Sequence, residues 1–267
     1  MTNQTDGYST INLSVHDGIA RLQLNRPESA NTVNAQLARE LFDAATSLRW
    51  DPTIRVVLLT SAGKVFCGGG DIAEFADRGD RLPEHVAQVT HDLHGAIETF
   101  STMDAPLVIA VGGSAGGAGM SLVSAGDLVL AGARAKFTMA YTRVGLTPDG
   151  SSTFYLARVV GLRRAMDLVL TNRVLTAPEA EAWGLVNRVV ADEELPEAAE
   201  ELASAIAAGP TAAYGAAKRL LLRGATSELA DAMARESEEI SRICRTPDAI
   251  EAVSAFLDKR EPRFSRP

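Results

Sequence analysis

Two glycine-rich turns, each directly after an apolar β-type run, are where the backbone of this chain can do chemistry. In the first, Val56-Val57-Leu58-Leu59-Thr60 leads into Ser61-Ala62-Gly63-Lys64-Val65-Phe66-Cys67-Gly68-Gly69-Gly70-Asp71-Ile72. In the second, Leu107-Val108-Ile109-Ala110-Val111 leads into Gly112, Gly113, Gly116, Gly117 and Gly119. Met120-Ser121-Leu122-Val123 then follows at helical spacing, and after it a second strand-like run, Leu128-Val129-Leu130. Glycines let a ligand come close to bare backbone N–H groups, and a helix N-terminus adds unpaired donors and a dipole that favours negative charge. Such a turn suits a phosphate or the oxyanion of a reacting thioester. Two of them, each giving one N–H, suit a composite site. A transmembrane helix over residues 107–133 is a competing reading, since the stretch is mostly apolar with small residues four apart. Its seven glycines, the flanking Pro106 and the interior Asp127 oppose that. A glycine-lined packing contact without chemistry stays open on this stretch alone.

The elements that must position these turns follow from composition and periodicity. The chain has 267 residues, 46% hydrophobic and 22% charged, which suits one large domain, or one domain with a helical appendage, and a sizeable core. A net charge of −8, a pI near 5.1 and no extended basic cluster disfavour a nucleic-acid binder. With only Cys67 and Cys244, and an opening MTNQTDGYST that is neither basic nor apolar, the sequence predicts a cytoplasmic protein without a secretory leader or a disulfide framework. Zinc-type Cys/His spacing, low-complexity tracts and fixed-period repeats are absent from it.

Ile11, Leu13 and Val15 alternate up to Asp17-Gly18, and a second run continues to Leu24, which predicts a hairpin ended by Pro27. Leu37, Leu41, Ala44, Ala45 and Leu48 predict an amphipathic helix. A polar loop over 79–83 precedes a predicted helix, 84–102, that carries His85, His91 and His94. Thr147-Pro148-Asp149-Gly150 is a turn or helix start, followed by helices over 152–159 and 162–170. Thr176-Ala177-Pro178-Glu179 is a capping box with proline in the first turn, and Gly184 is the stop of that helix. Residues 185–190 form a last predicted strand. Beyond Asp192 all is helical, broken at Gly209-Pro210, Gly224 and Thr246-Pro247. The expectation is an α/β core over residues 1–195 with a C-terminal helical subdomain over 196–267. Apolar stripes on the late helices (Leu220 to Leu222, Ile240 and Ile243, Val253, Phe256 and Leu257) require the core or a neighbouring subunit to cover them.

In order and spacing, the chain resembles the crotonase superfamily, the enoyl-CoA hydratases and isomerases. The resemblance runs through Asn25-Arg26-Pro27-Glu28 with Asn31 and Asn34, Phe66 to Ile72, and Val111 to Gly119. It continues in Pro148-Asp149-Gly150, Ala182-Trp183-Gly184-Leu185-Val186, and Phe256-Leu257-Asp258-Lys259-Arg260. It implies a spiral of ββα turns forming two nearly perpendicular sheets, and a C-terminal helical part that assembles a homotrimer or a dimer of trimers. It also implies an acyl-CoA thioester as substrate, with coenzyme A belonging to the substrate, no separate cofactor, no metal and no membrane partner. By that resemblance the N–H groups of Gly70 and Ala118 hold the thioester oxygen. Gly70, Asp71, Ile72 and Ala73, with Ala30 opposite, line the adenine and pantetheine. Phe256 and Lys259 approach the nucleotide, from the same or a neighbouring subunit.

The chain departs from the hydratases where it matters for chemistry. The two glutamates that activate water in that family fall at Ser121 and Tyr141, neither a carboxylate. Asp149 remains. Ahead of Gly-Ser-Ser it also suits a helix N-cap, where the dipole would keep it ionised. Within the family, several isomerases and the 4-chlorobenzoyl-CoA dehalogenase place their working carboxylate at the matching position. The dehalogenase also matches in a histidine at His94 and an aromatic at Tyr141, but it differs at Gly70 and Leu93, where it carries aromatic residues. His91, His94 and Glu98 share a helix face and mimic a metal site, which the family does not need. Tyr141 and Ser121 shape the acyl pocket or hydrogen-bond the substrate, and Cys67 packs. The expected activity is enoyl-CoA double-bond isomerisation, with Asp149 as acid and base over the Gly70–Ala118 oxyanion hole. The alternatives are dehalogenase-like hydrolysis through Asp149 and His94, hydration by a non-standard residue set, and a non-catalytic CoA binder.

Overall fold

The computed structural model describes residues 7–264, so most of the opening stretch MTNQTDGYST, on which the expectation about a leader rests, lies outside the described residues. The chain opens with a hairpin, β1 (Ile11–His16) and β2 (Ile19–Leu24), whose register pairs His16 with Ile19. Asp17 and Gly18 both adopt left-handed backbone, φ 53° and 79°, the twist a two-residue hairpin turn needs. Helix α1 (Ala35–Trp50) is capped by the Asn34 side chain, which accepts from the Leu37 N–H, and buries Leu37, Leu41, Ala44, Ala45 and Leu48 as the periodicity predicts.

Three strand pairs then repeat one pattern. β3 (Val56–Ser61) precedes β4 (Val65–Cys67) and the short helix α2 (Ile72–Ala76), and a long helix, α3 (Leu82–Thr102), returns the chain. β5 (Leu107–Val111) precedes β6 (Ser114–Gly116) and α4 (Ala118–Ala125). β7 (Leu128–Gly132) precedes β8 (Lys136–Thr138), and the third repeat closes in a 3-10 turn over Tyr141–Val144. In every repeat the first strand joins one sheet and the second strand the other. The chain continues through α5 (Ser152–Val160), α6 (Leu162–Thr171), β9 (Leu175–Thr176), α7 (Ala177–Ala182) and β10 (Arg188–Val190). The result is a six-stranded sheet, β1-β2-β3-β5-β7-β10, and a four-stranded sheet, β4-β6-β8-β9. This is the ββα spiral that the resemblance implies. Residues 107–133 are strand, turn, helix and strand, and among the described residues no helix is long and apolar enough to cross a membrane.

Four helices complete the chain: α8 (Leu195–Ala207), α9 (Thr211–Gly224), α10 (Leu229–Ile243) and α11 (Pro247–Leu257). α8 lies on the outer face of the six-stranded sheet, where Leu195, Ala199 and Ala203 bury Val56, Leu58, Val108 and Leu130. Val57, Leu59 and Ile109 face the main core on the other side, which explains why these strands read as unbroken apolar runs. α9 is tied to the core by Lys218, whose buried ammonium donates to the carbonyls of Phe100 and Ala105 and to Asp127 Oδ2. Burial pulls the Lys218 pKa down, against the opposing charge of Asp127. The carboxylate that argued against a membrane span is thus a structural anchor. The predicted strand over 185–190 is shorter than expected, because Leu185 and Val186 bury themselves in the turn after α7 and pairing starts only at Arg188. α10 and α11 leave Leu229, Met233, Ile240, Ile250, Val253, Phe256 and Leu257 exposed.

Candidate active site

The two glycine turns are brought together by the parallel pairing of β4 with β6, in which Val65 opposes Ser114 and Cys67 opposes Ala115. They touch backbone to backbone. A β-carbon at Gly117 would stand 3.2 Å from Gly69 Cα, and one at Gly119 would collide with the Cys67 carbonyl. Gly69 and Gly117 also have positive φ, 106° and 50°, which side-chain-bearing residues rarely adopt. Cys67 packs beneath, fully buried, its thiol pushed up to about 11 by burial, so it stays an inert neutral group.

This contact brings Gly70 and Ala118 into the lining of one cavity of about 340 Å³. Among the described residues neither amide has a hydrogen-bond acceptor. Ala118 is the first residue of α4, so its N–H belongs to the orphaned first turn and the helix dipole favours an anion there. The Gly70 turn is stiffened from behind. Asp71 caps α2 by accepting from the Glu74 N–H, while its Oδ2 takes both terminal nitrogens of Arg26 at 3.1 Å. Val33 pairs with the same turn through Val33 N–H to Gly69 O and Asp71 N–H to Val33 O. Ala30, at φ 52°, accepts from the Gly68 N–H.

Most of the rest of the lining is apolar, with Ile72 and Phe75, Val86, Val89 and Leu93 of α3, and Val144 and Leu146, while Thr90, Arg143 and Thr147 add polar groups. Val86, Val89 and Leu93 lie at helical spacing in the segment whose histidines drew the sequence reading. The stripe was legible as a buried helix face, but what it faces was not. Asp149 is the only carboxylate among the described residues that line this cavity.

Asp149 does not cap α5. The residue before that helix is Ser151, at φ 66° and without a side-chain cap, and the left-handed Gly150 and Ser151 turn the Asp149 carboxylate away from the helix axis. Only its main-chain oxygen serves the helix start, accepting from Ser152 N and Ser152 Oγ. Its Oδ1 accepts from the Tyr141 hydroxyl at 2.5 Å, and Ser121 Oγ lies 2.9 Å from that hydroxyl. Burial, followed by the Asp149 charge, pushes the Tyr141 pKa up, so the phenol keeps its proton. Gly150 donates its N–H to His94 Nε2 at 3.0 Å, which assigns His94 the Nδ1–H tautomer; the same Nε2 lies 3.9 Å from Asp149 Oδ2. His91 points elsewhere and packs edge-on against Phe42.

Of the residues singled out in the sequence, Gly70, Ala118, Ile72, Tyr141 and Asp149 line the cavity, and His94 stands behind Asp149. Asp71, Ala73 and Ala30 belong to the framework of the first turn and lie off the cavity wall. Phe256, 83% exposed at the end of α11, and Lys259 lie outside the cavity of their own chain.

The sequence matches the family described as enoyl-CoA hydratase/isomerase over residues 14–267. It is 36% identical to a 1,2-epoxyphenylacetyl-CoA isomerase of Escherichia coli, over 94% of this chain and 96% of that one. It is 32% identical to a 4-chlorobenzoyl coenzyme A dehalogenase of Arthrobacter, over 97% and 94%. The fold superposes on the crystal structure of an enoyl-CoA hydratase from Polaromonas with a TM-score of 0.91 at 30% identity, covering 96% of this chain and all of that one. With both glycine turns in place and the match running through nearly the whole length, the chain belongs to the enoyl-CoA hydratase/isomerase family of the crotonase superfamily.

Proposed function

We propose that this member of the family is an acyl-CoA double-bond isomerase that uses Asp149 as its acid and base. The observation that carries the reading is that, among the described residues, Asp149 is the single carboxylate lining a cavity that Gly70 and Ala118, whose amides have no acceptor, also line. The thioester oxygen of a 3-enoyl-CoA sits on the Gly70 and Ala118 N–H groups. Asp149 Oδ2 takes a proton from C2, the electron pair spreads onto the thioester oxygen, and the proton returns to C4 as the double bond moves to C2–C3. Each pre-aimed donor contributes about 100- to 1000-fold in rate, which lets a weakly basic aspartate suffice. Relatives named as a 1,2-epoxyphenylacetyl-CoA isomerase, at 36% identity, and as a trans-2-decenoyl-[acyl-carrier-protein] isomerase, at 29%, support isomerase chemistry in general.

The other chemistries draw less support. Dehalogenase-like hydrolysis needs His94 as base, and its Nε2 lone pair is taken by the Gly150 N–H. Two-carboxylate hydration needs acids where Ser121 and Tyr141 stand. A non-catalytic CoA binder has no need for a carboxylate beside the amides. The exposed apolar faces of α10 and α11 support assembly as a homotrimer or a dimer of trimers, which would carry Phe256 and Lys259 toward a neighbour's nucleotide; sedimentation giving three or six times the chain mass is the expected outcome.

The deciding measurement is turnover of 3-enoyl-CoA by wild type and Asp149→Asn. The expected loss in kcat is about 100- to 10,000-fold with acyl-CoA binding kept. An Asp149→Asn enzyme isomerising at the wild-type rate would falsify the assignment.

A further inference from the structure

The two oxygens of the Asp149 carboxylate have different surroundings. Oδ1 is held by the Tyr141 hydroxyl at 2.5 Å, whereas Oδ2 has no hydrogen bond among the described residues and meets only His94 Nε2, at 3.9 Å. Tyr141 is held in turn, since Ser121 Oγ lies 2.9 Å from its hydroxyl and 2.9 Å from the Asp149 main-chain oxygen. The three residues close a ring of three contacts.

Counting hydrogens gives the ring a direction. An ionised carboxylate only accepts, so the phenol proton goes to Oδ1. Ser121 then has one hydrogen for three acceptors, the phenol oxygen and the Asp149 carbonyl at 2.9 Å and the Gly117 carbonyl at 3.3 Å. The Asp149 carbonyl is already supplied by Ser152 N–H and Ser152 Oγ, and the more distant Gly117 carbonyl by the Ser121 N–H, which leaves the Ser121 hydrogen for the phenol oxygen. Donation runs from Ser121 to Tyr141 to Oδ1, and a hydroxyl that itself accepts a hydrogen bond donates more strongly. Ser121 is buried, and a β-carbon at Gly150 would stand 2.8 Å from Ser121 Cβ, so the ring has no room to swing.

We infer that Tyr141 and Ser121 are positioning residues that occupy Oδ1 and leave Oδ2 alone to take the substrate proton and give it back. The inference rests on the isomerase reading. A carboxylate with both oxygens free can rotate and pass its proton to another face; one pinned at Oδ1 keeps it on the oxygen that faces the substrate. His94 cannot relieve Oδ2 of that proton while its lone pair holds Gly150. The hydrogen that leaves C2 therefore reaches C4 before it is lost to water. The C2–H bond breaks and O–H forms on Oδ2; then O–H breaks and C4–H forms, with no other reactant.

The test uses 3-enoyl-CoA deuterated at C2, in ordinary water, with wild type, Tyr141→Phe, Ser121→Ala and Asp149→Asn. Mass spectrometry reads the deuterium at C4, and kcat and KM are measured together. Wild type is expected to carry most of the label to C4. Tyr141→Phe is expected to lose about ten-fold in kcat, with KM changed less than about two-fold and label lost to solvent; Ser121→Ala moves the same way by less. Label fully washed out by wild type overturns the inference without any variant. So does Tyr141→Phe with unchanged kcat and label, or with a change in KM alone. In either case an inactive Asp149→Asn leaves the isomerase reading standing. Wild type without turnover, or Asp149→Asn as fast as wild type, removes that reading and this inference with it.

Discussion

The two walls of the cavity are built in different ways. The Gly70–Ala118 wall is main chain, placed by the β4–β6 register and by glycines whose missing β-carbons let two turns touch. The Asp149 wall is side chain, a carboxylate on an irregular turn steered by two hydroxyls from elsewhere in the chain. The first cannot be altered without moving strands; the second can be re-equipped residue by residue with the backbone untouched. Relatives named as an isomerase and as a dehalogenase both align over nearly the whole chain, which fits a frame that holds the thioester and exchangeable side chains that choose its fate.

Breaking the backbone wall is expected to have the largest effect. In Gly119→Val the new side chain meets the Cys67 carbonyl and β-carbon, neither of which is a flexible end, so the turns must part. The expected outcome is a loss of about 100- to 1000-fold in kcat, as for a missing oxyanion donor. A drop of about 1–3 kcal/mol in unfolding free energy by urea titration should accompany it. Retained activity with a lowered melting point alone would mean that the turns need not touch for the amides to converge.

Re-equipping the side-chain wall sharpens the comparison from the other side. Ser121→Glu restores a carboxylate where the hydratases have one. Here the site is buried, its hydroxyl already contacts Tyr141 and Asp149, and a second anion would lie beside the first. A loss of about 2–3 kcal/mol in stability and of isomerisation is expected, with no gain of 2-enoyl-CoA hydration. Tyr141 still fills the second glutamate's place. A stable Ser121→Glu that hydrates would show the side-chain wall to be more exchangeable than its packing implies.

The backbone wall was also the legible one. Glycine-rich turns after apolar runs, the Asp17-Gly18 hairpin and the Thr176–Glu179 capping box are set by local sterics and local hydrogen bonds. They appear where the residues predict them. Asp149 was ambiguous because a cap and a cavity carboxylate share the same local sequence. The choice is made by the left-handed Gly150 and Ser151 and by Tyr141, eight residues away in the 3-10 turn. The Lys218 anchor was not legible at all: its acceptors, Phe100 O, Ala105 O and Asp127, are more than ninety residues distant in sequence. The strand expected from Leu185 failed because burial in a turn and burial in a sheet leave the same apolar signature.

The smallest effect is expected at the ion pair behind the backbone wall, where the comparison becomes one of acid sensitivity. Burial works to raise the Asp71 pKa. The Glu74 N–H, Arg26 and Thr32 outweigh it and hold the carboxyl below its ordinary value. A carboxyl depressed in the folded state adds stability above its unfolded pKa and surrenders it as the pH falls through the folded one. The contribution is therefore complete at neutral pH and drains away from about pH 5 downward, past the ordinary aspartate value near 3.9. Asp71→Asn keeps the α2 cap but loses the charge, so it should cost about 1 kcal/mol at pH 7, with the difference from wild type shrinking in acid. Urea unfolding at pH 7 and pH 3 measures both. Because the pair braces the Gly70 turn and the neighbouring Thr32 and makes no hydrogen bond to Asp149 or Tyr141, the accompanying rise in KM for acyl-CoA should be modest, with the Asp149-dependent label transfer unchanged. A change in label transfer would mean that the two walls are mechanically coupled rather than independently built.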